Sequence, residues 1–170
     1  QRQMCIRDRK TRESRVFDMI STYLSSGQSS VLYKKLVDEK KMALQVFAGN
    51  NSQEDYGIYL IGGLPLGDTK LSDLTIEIDD EIEKLKSELI SERDFEKIQN
   101  IFESQYVSSN STIQGIANSL ARYHVLYGDV NLINNEIDIY RSVTREEIQE
   151  VAKLYLNKNQ RLELNYLPKK

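Results

Sequence analysis

Residues 24–49 read LSSGQSSVLYKKLVDEKKMALQVFAG, and the order of signals in this stretch decides the fold class. Upstream, Val16, Phe17, Ile20 and Leu24 recur at helical spacing, and Gly27 stops that helix because glycine takes the left-handed cap without a side-chain penalty. Ser29 or Ser30 then caps a second helix whose inner face is Val31, Leu32 and Leu36. From Met42 the apolar period drops to two. Met42, Leu44, Val46 and Ala48 are expected on the core side of a strand, with Ala43, Gln45 and Phe47 on the other.

Working outward, residues 56–62 alternate as a second strand, and the polar run 50–55 between the two is turn-prone, so the pair reads as a hairpin. Gly62, Gly63 and Pro65 are expected to end it, and Gly67-Asp68 marks the next loop. A long helix comes next on Leu71, Leu74, Ile78, Ile82, Leu85 and Leu89. Ser91 caps another helix, with Glu92 and Asp94 in its first turn where the helix dipole favours acids. Its stripe is Phe95, Ile98, Phe102 and Tyr106.

Beyond the turn at 108–111, Ile113, Ile116, Leu120, His124 and Tyr127 predict an inward stripe closed by Gly128. Leu132, Ile133, Ile137 and Tyr140 give a short helix. Thr144 and Glu147 have capping-box spacing, with Val143 and Ile148 as the staple. Residues 161–167 alternate once more, Leu162, Leu164 and Tyr166 inward, and Pro168 ends a final strand. Two strands, a block of helices and a closing strand make an α+β protein, with helices packed on one face of an antiparallel or mixed sheet.

The chain has 170 residues, 39% of them hydrophobic, which suits one domain with a sizeable core. Charged residues of both signs reach 29% with a net charge of -3, so no basic face for nucleic acid is present. No apolar run reaches the roughly 18 to 20 residues of a membrane span. A single cysteine, Cys5, excludes an internal disulfide and a cysteine-built metal site. Residues 1–9, QRQMCIRDR, carry neither period nor cap and read as foreign to the rest of the chain, like a sequencing junction, or as a disordered arm.

The helix, the pattern SSG-x-SS-x-L-Y-x-x-L at residues 25–36, the charged tetrad and the strand together resemble the C-terminal module of insulinase/pitrilysin-type zinc peptidases. That group includes the mitochondrial processing peptidase and the bc1 core proteins. Further on, Leu126-Tyr127-Gly128-Asp129, Val143 to Ile148 and Ala152 to Leu156 fall in the family's order. The resemblance covers residues 14–168, leaving 1–13 as an N-terminal segment and 169–170 as a tail. It implies a LuxS/processing-peptidase-like metallohydrolase module whose first strand residues 1–9 do not supply, so that the sheet keeps an unpaired edge.

The same resemblance implies a parent zinc endopeptidase whose metal sits in an N-terminal domain bearing H-x-x-E-H. The present chain would support that domain and line the peptide chamber, without being catalytic alone. Its partners would be that zinc domain, a second homologous half or subunit, and the parent's peptide substrate. The alternative is a non-enzymatic assembly subunit of the same fold, as bc1 core proteins are. Bacterial members work in the cell envelope, which is where the resemblance would put the chain.

Residue chemistry agrees with a non-catalytic module. One histidine cannot make H-x-x-E-H, and His124 beside an apolar stripe is expected to pack rather than ligate. Asp79-Asp80 and Glu146-Glu147 are expected on exposed faces or in a first turn. Residues 62–67, GGLPLG, fit no phosphate-binding spacing. Ser25, Ser26, Ser29 and Ser30 lack an adjacent base and are assigned to capping. The family's substrate-binding modules carry an Arg and a Tyr seven apart, and those slots fall at Val37 and Leu44, neither of which can clamp a peptide carbonyl.

Overall fold

The computed structural model describes residues 5–7, 11–52 and 56–167. They divide into two compact units, the first formed by residues up to Ile90 together with Glu146 onward, the second by Ser91–Arg145.

The first unit begins with strand β1 (Cys5–Arg7) and helix α1 (Arg12–Ser25). Val16, Phe17, Ile20 and Leu24 on α1 are wholly buried, as their spacing predicts, and Met19 is buried with them. Gly27 takes φ +76°, the left-handed value that ends the helix. Ser30 turns its hydroxyl back to donate to the Gly27 carbonyl at 2.7 Å, closing the loop.

The second helix departs from the expectation. Tyr33–Glu39 is a π-helical turn, with the Lys40 amide bonded to the Lys35 carbonyl at 3.0 Å. Leu32 and Leu36 are sealed, as predicted, while Val31 is half-buried.

Strands β2 (Ala43–Ser52) and β3 (Tyr56–Pro65) form the hairpin, and the sheet order is β1-β3-β2, antiparallel throughout. Three particulars correct the sequence reading. Cys5–Arg7 pairs with Tyr56 to Ile58, although residues 1–9 are expected to give no strand. Three rungs need only backbone groups beside an open edge, and no side-chain pattern announces them. Second, a register shift between Ala43 and Gln45 turns Leu44 outward, 56% exposed, and buries Ala43 in its place, while Val46 beyond the shift is buried as expected. One extra residue reverses the phase of everything before it.

Third, β3 runs through Gly62 and Gly63 to Pro65 rather than stopping at them. Gly62 pairs with Phe47, and a Cβ there would lie 2.5 Å from Phe47 Cζ, so the ring covers the bare backbone.

Phe17 meets Tyr59 of β3 with ring centroids 4.9 Å apart, and Tyr155 at 5.7 Å, tying α1, the sheet and helix α6 (Arg145–Tyr155) into one core. Helix α2 (Leu71–Ser87) buries Leu74, Ile78, Ile82 and Leu85, but it ends before Leu89, which is exposed while Ile90 turns in. The predicted closing strand does not form. After the short 3-10 turn Lys158–Gln160, residues 161–167 are without regular structure, and Leu162, Leu164 and Tyr166 are exposed rather than inward. Alternation supplies a side-chain pattern, but a strand also needs a neighbouring backbone.

The second unit holds α3 (Glu92–Ser109), α4 (Ile113–Tyr127) and α5 (Leu132–Arg141). Ser91 Oγ accepts the Asp94 amide at 3.1 Å, and Gly128 closes α4 at φ +71°, both as read from sequence. Phe102 stacks on Tyr140 with centroids 4.4 Å apart.

The α4 stripe is reversed. Ile113 is 89% exposed, and Ile116, Leu120 and His124 also face outward. The inner face is Gly115, Ser119 and Tyr123, with the Tyr123 hydroxyl bonded to Glu136. A Cβ on Gly115 would meet the Ser109 carbonyl at 2.0 Å, so close approach of the turn before α4 selects the small residue and the apolar stripe is turned away.

Candidate functional site

The first unit contains a groove of about 300 Å³. It runs along residues 61–65 of β3, is lined by Leu74 and Ile78 of α2, and takes residues 161–166 as its other side. One long side is strand, and the other is irregular chain that leaves Arg161 in an extended conformation. Arg161 anchors the second, donating from Nη1 to Asp79 Oδ1 at 2.6 Å, with Lys158 Nζ 3.4 Å from Asp79 Oδ2. The Asp79 hydrogen bond holds the Arg161 guanidinium above its ordinary range against the opposing effect of burial. Glu163 lies 3.4 Å from Arg161 Nη2. The charged groups of the groove therefore pair with one another, and the rest of its lining is mostly apolar side chain and strand backbone, with Thr75, Asn165 and Tyr166 adding polar atoms.

An ion cluster joins the π-helical turn to α2. Lys35 Nζ lies 2.8 Å from Glu77 Oε2 and 2.9 Å from Glu81 Oε1, while Lys84 reaches Glu81 Oε1 at 2.8 Å and Lys40 reaches Glu77. Lys35 and Lys40 are one π turn apart, so the wider turn presents both ammonium groups to one carboxylate. Glu77 is held below the usual carboxylate range by the hydrogen bond from Lys35 and then that from Lys40. Burial pushes Glu81 up, yet the bonds from Lys84 and Lys35 outweigh it and leave it low. Burial likewise opposes the charge on Lys35, but Glu77 and Glu81 together raise it.

The residues singled out from sequence lie apart from catalytic arrangements. Val37 is half-buried in the π turn and Leu44 sits on the bulge, both without polar atoms to offer a carbonyl. His124 is exposed in the last turn of α4, so the expected packing role is not what it has. Asp80 and Glu146 are exposed as expected. Asp79 is not: it is 7% exposed and paired with Arg161.

Glu147 accepts Arg12 in two bonds, Nε to Oε1 at 2.5 Å and Nη2 to Oε2 at 2.9 Å, joining the starts of α6 and α1. The Glu147 hydrogen bond is the main cause that raises the Arg12 guanidinium above its ordinary value. Ser25 Oγ donates to the Ala48 carbonyl and accepts its amide, work done between elements rather than as a helix cap.

Lys35, Glu77, Glu81, Asp79 and Arg161 are not legible as a set from the sequence pattern. A signal is nonetheless present: Glu77 and Glu81 stand four apart directly beside the buried Ile78 and Ile82, an acidic pair at the margin of a core stripe.

Among the described residues no group of three or more His, Cys, Asp or Glu side chains is arranged to hold a metal ion. The donor chemistry also does not fit zinc in a peptidase site, since the chain's sole histidine is exposed on α4. Among the described residues no helix is long and apolar enough to cross a membrane.

A family model described as the peptidase M16 inactive domain matches residues 6–102. The curated protein named zinc protease PqqE, from Helicobacter pylori, is 30% identical over 118 residues, covering 68% of this chain and 26% of its own length. The chain thus spans about a quarter of that relative. Among solved structures, an inactive peptidase domain from Bordetella parapertussis superposes with a TM-score of 0.85 at 21% identity, covering 99% of this chain and 89% of the other. A chain of complex III from Candida albicans superposes with a TM-score of 0.71 at 13% identity, covering 91% of this chain and 39% of the other. These two likenesses concern the fold.

Proposed function

Because the chain belongs to the peptidase M16 inactive-domain family, we propose that it is the non-catalytic C-terminal module of a zinc metalloendopeptidase, backing a zinc-bearing domain and lining the peptide chamber. The observation that carries this reading is the family match over residues 6–102, which joins an inactive module to a peptidase family. The residue chemistry agrees with it. The groove's charges are mutually paired, and Val37 and Leu44 provide no carbonyl clamp. Zinc would be held by another part of the parent protein.

The test is cleavage of an unstructured peptide by the purified 170-residue chain. No turnover is expected with or without added zinc, whereas chelator-sensitive cleavage would overturn the reading. Mixing in a domain that carries H-x-x-E-H from the same parent should restore zinc-dependent turnover.

The likeness to a complex III chain favours a second reading, a non-enzymatic assembly subunit of the same fold. Its parent would carry no H-x-x-E-H. The coding sequence upstream of this segment distinguishes the two.

A further inference from the structure

Helix α4 turns an apolar face to solvent, and the order of large and small residues on that face restricts what can cover it. At about 100° per residue, Ile113, Ile116, Ala117, Leu120, Ala121 and His124 share one sector of the helix. All six are exposed, Ile113 most of all. No Asp, Glu, Lys or Arg lies in this sector. Among the described α-helices α4 is the one without an aspartate or glutamate, and its Arg122, nine positions after Ile113, comes round to the opposite side. A contiguous uncharged apolar face on the surface of a protein is a contact surface.

The size order identifies the occupant. Large residues stand at 113, 116 and 120, and small ones at 117 and 121. When two α4 helices lie antiparallel about the midpoint between Asn118 and Ser119, Ile116 of one copy faces Ala121 of the other and Ala117 faces Leu120, with Ile113 against His124 at the ends. Each pair then occurs twice. Every large side chain in the middle of the contact meets a small one, so the ridges of one helix enter the gaps of the other. A different polypeptide would have to bring the complementary order with it, whereas a second copy already has it. Charge points the same way. Two chains of net charge -3 repel one another, and the acid-free face of α4 is where they approach without setting like charges together.

We propose that α4 is a self-association surface: two copies of this chain pair through the Ile113 to His124 face, antiparallel and about a twofold axis, to form a dimer. One helix face from each copy buries on the order of 1,000 Å² in total, the low end for a specific interface, so the dimer is a weak one with Kd about 10–100 µM. The surface lies wholly within the three-helix unit. It stands whether the parent protein is a peptidase or an assembly subunit.

The experiment is sedimentation of the 170-residue chain from about 5 to 300 µM, beside three variants: Leu120→Glu, Ala117→Leu, and the double exchange Ala117→Leu with Leu120→Ala. Residues 117 and 120 are on the solvent side of α4, away from Tyr123, and circular dichroism confirms that each variant is folded before it is compared. The unaltered chain is expected to pass from monomer to dimer and no further, because a twofold contact closes on itself. Leu120→Glu sets carboxylates close to the axis and should weaken association at least tenfold. Ala117→Leu makes the face more apolar, yet it should also weaken association about tenfold, since leucine then meets leucine. The double exchange puts a large residue opposite a small one again and should return Kd to within about threefold of the original. A patch that is merely sticky gives the reverse order, tightest with Ala117→Leu. A chain that stays monomeric throughout, species larger than a dimer, association that survives Leu120→Glu, tighter association with Ala117→Leu, or a double exchange no better than Ala117→Leu would each overturn the proposal.

Discussion

Ser25 Oγ lies 2.7 Å from the amide nitrogen of Ala48 and 3.1 Å from its carbonyl oxygen, so one hydroxyl at the end of α1 engages both backbone groups of a residue on the edge strand β2. A residue on an outer strand that points its amide and carbonyl away from the sheet would otherwise offer both to another chain. Toward the start of the same helix, Asn50 donates to the Ser14 carbonyl and to Asp18 Oδ1, each at 3.0 Å. Helix α1 therefore does two things, burying its apolar face and fastening the edge of β2.

Ser25→Ala removes the hydroxyl while keeping the helix. It is expected to cost about 1 kcal/mol, since the Ala48 groups lose a neutral partner at a half-buried position. Urea unfolding gives the magnitude, and hydrogen exchange gives the location: the Ala48 amide should exchange faster while amides in α2 do not. Unchanged exchange at Ala48 would show that the hydroxyl does not fasten the edge.

Phe47 and Gly62 form a coupled pair. Gly62→Ala puts a methyl group where the Phe47 ring lies and is expected to cost about 1–3 kcal/mol through displacement of the ring. Phe47→Ala alone exposes the glycine backbone and should cost about 1 kcal/mol. Together the two should cost less than their sum, because the second change removes the clash made by the first. Additive costs in a double-mutant cycle would mean that the ring does not rest on Gly62.

Much of this fold is legible in the sequence because burial and period coincide. Val16, Phe17, Ile20 and Leu24 give α1, Leu74, Ile78, Ile82 and Leu85 give α2, and Gly27 and Gly128 mark the ends of α1 and α4 by residue type alone. What is not legible arises between elements. The bulge that turns Leu44 out is a property of the pairing with β3, and no local signal encodes it. The α4 stripe reads as core until Gly115 shows that close packing at that place requires the small face. Residues 161–167 have the side chains of a strand without a strand beside them. The candidate site is least visible, since the meeting of Lys35 with Glu77 and Glu81, and of Asp79 with Arg161, joins residues far apart in the chain.

The Lys35 cluster makes stability sensitive to acid. Glu77 and Glu81 have lowered values in the fold, so their contribution is fully present above the ordinary carboxylate value of about 4.3 and is lost as pH falls through the lower folded values. Lys35 is raised, so the same cluster weakens again only as pH rises beyond the ordinary lysine value of about 10.4. Glu81→Gln should flatten the fall in stability below about pH 4.5 relative to the unaltered chain. Urea midpoints measured from about pH 3 to 7 test this, and parallel curves for the two proteins would contradict it.

Asp79 sets the position of the C-terminal segment. Its carboxylate holds Arg161 at 2.6 Å, and no other described ion pair of residues 161–167 reaches α2. Asp79→Asn keeps the shape and one acceptor oxygen but removes the charge that Arg161 and Lys158 share. The change is expected to free residues 161–167 while leaving α2 folded, because Leu74, Ile78 and Ile82 carry that helix. Limited trypsin digestion should then cut after Arg161 roughly tenfold faster, the increase expected when about 1.4 kcal/mol is lost from a local opening equilibrium. Cleavage within α2 should keep its original rate. Equal acceleration at both places would mean that Asp79→Asn unfolds the unit as a whole and that the Arg161 contact is not a local anchor.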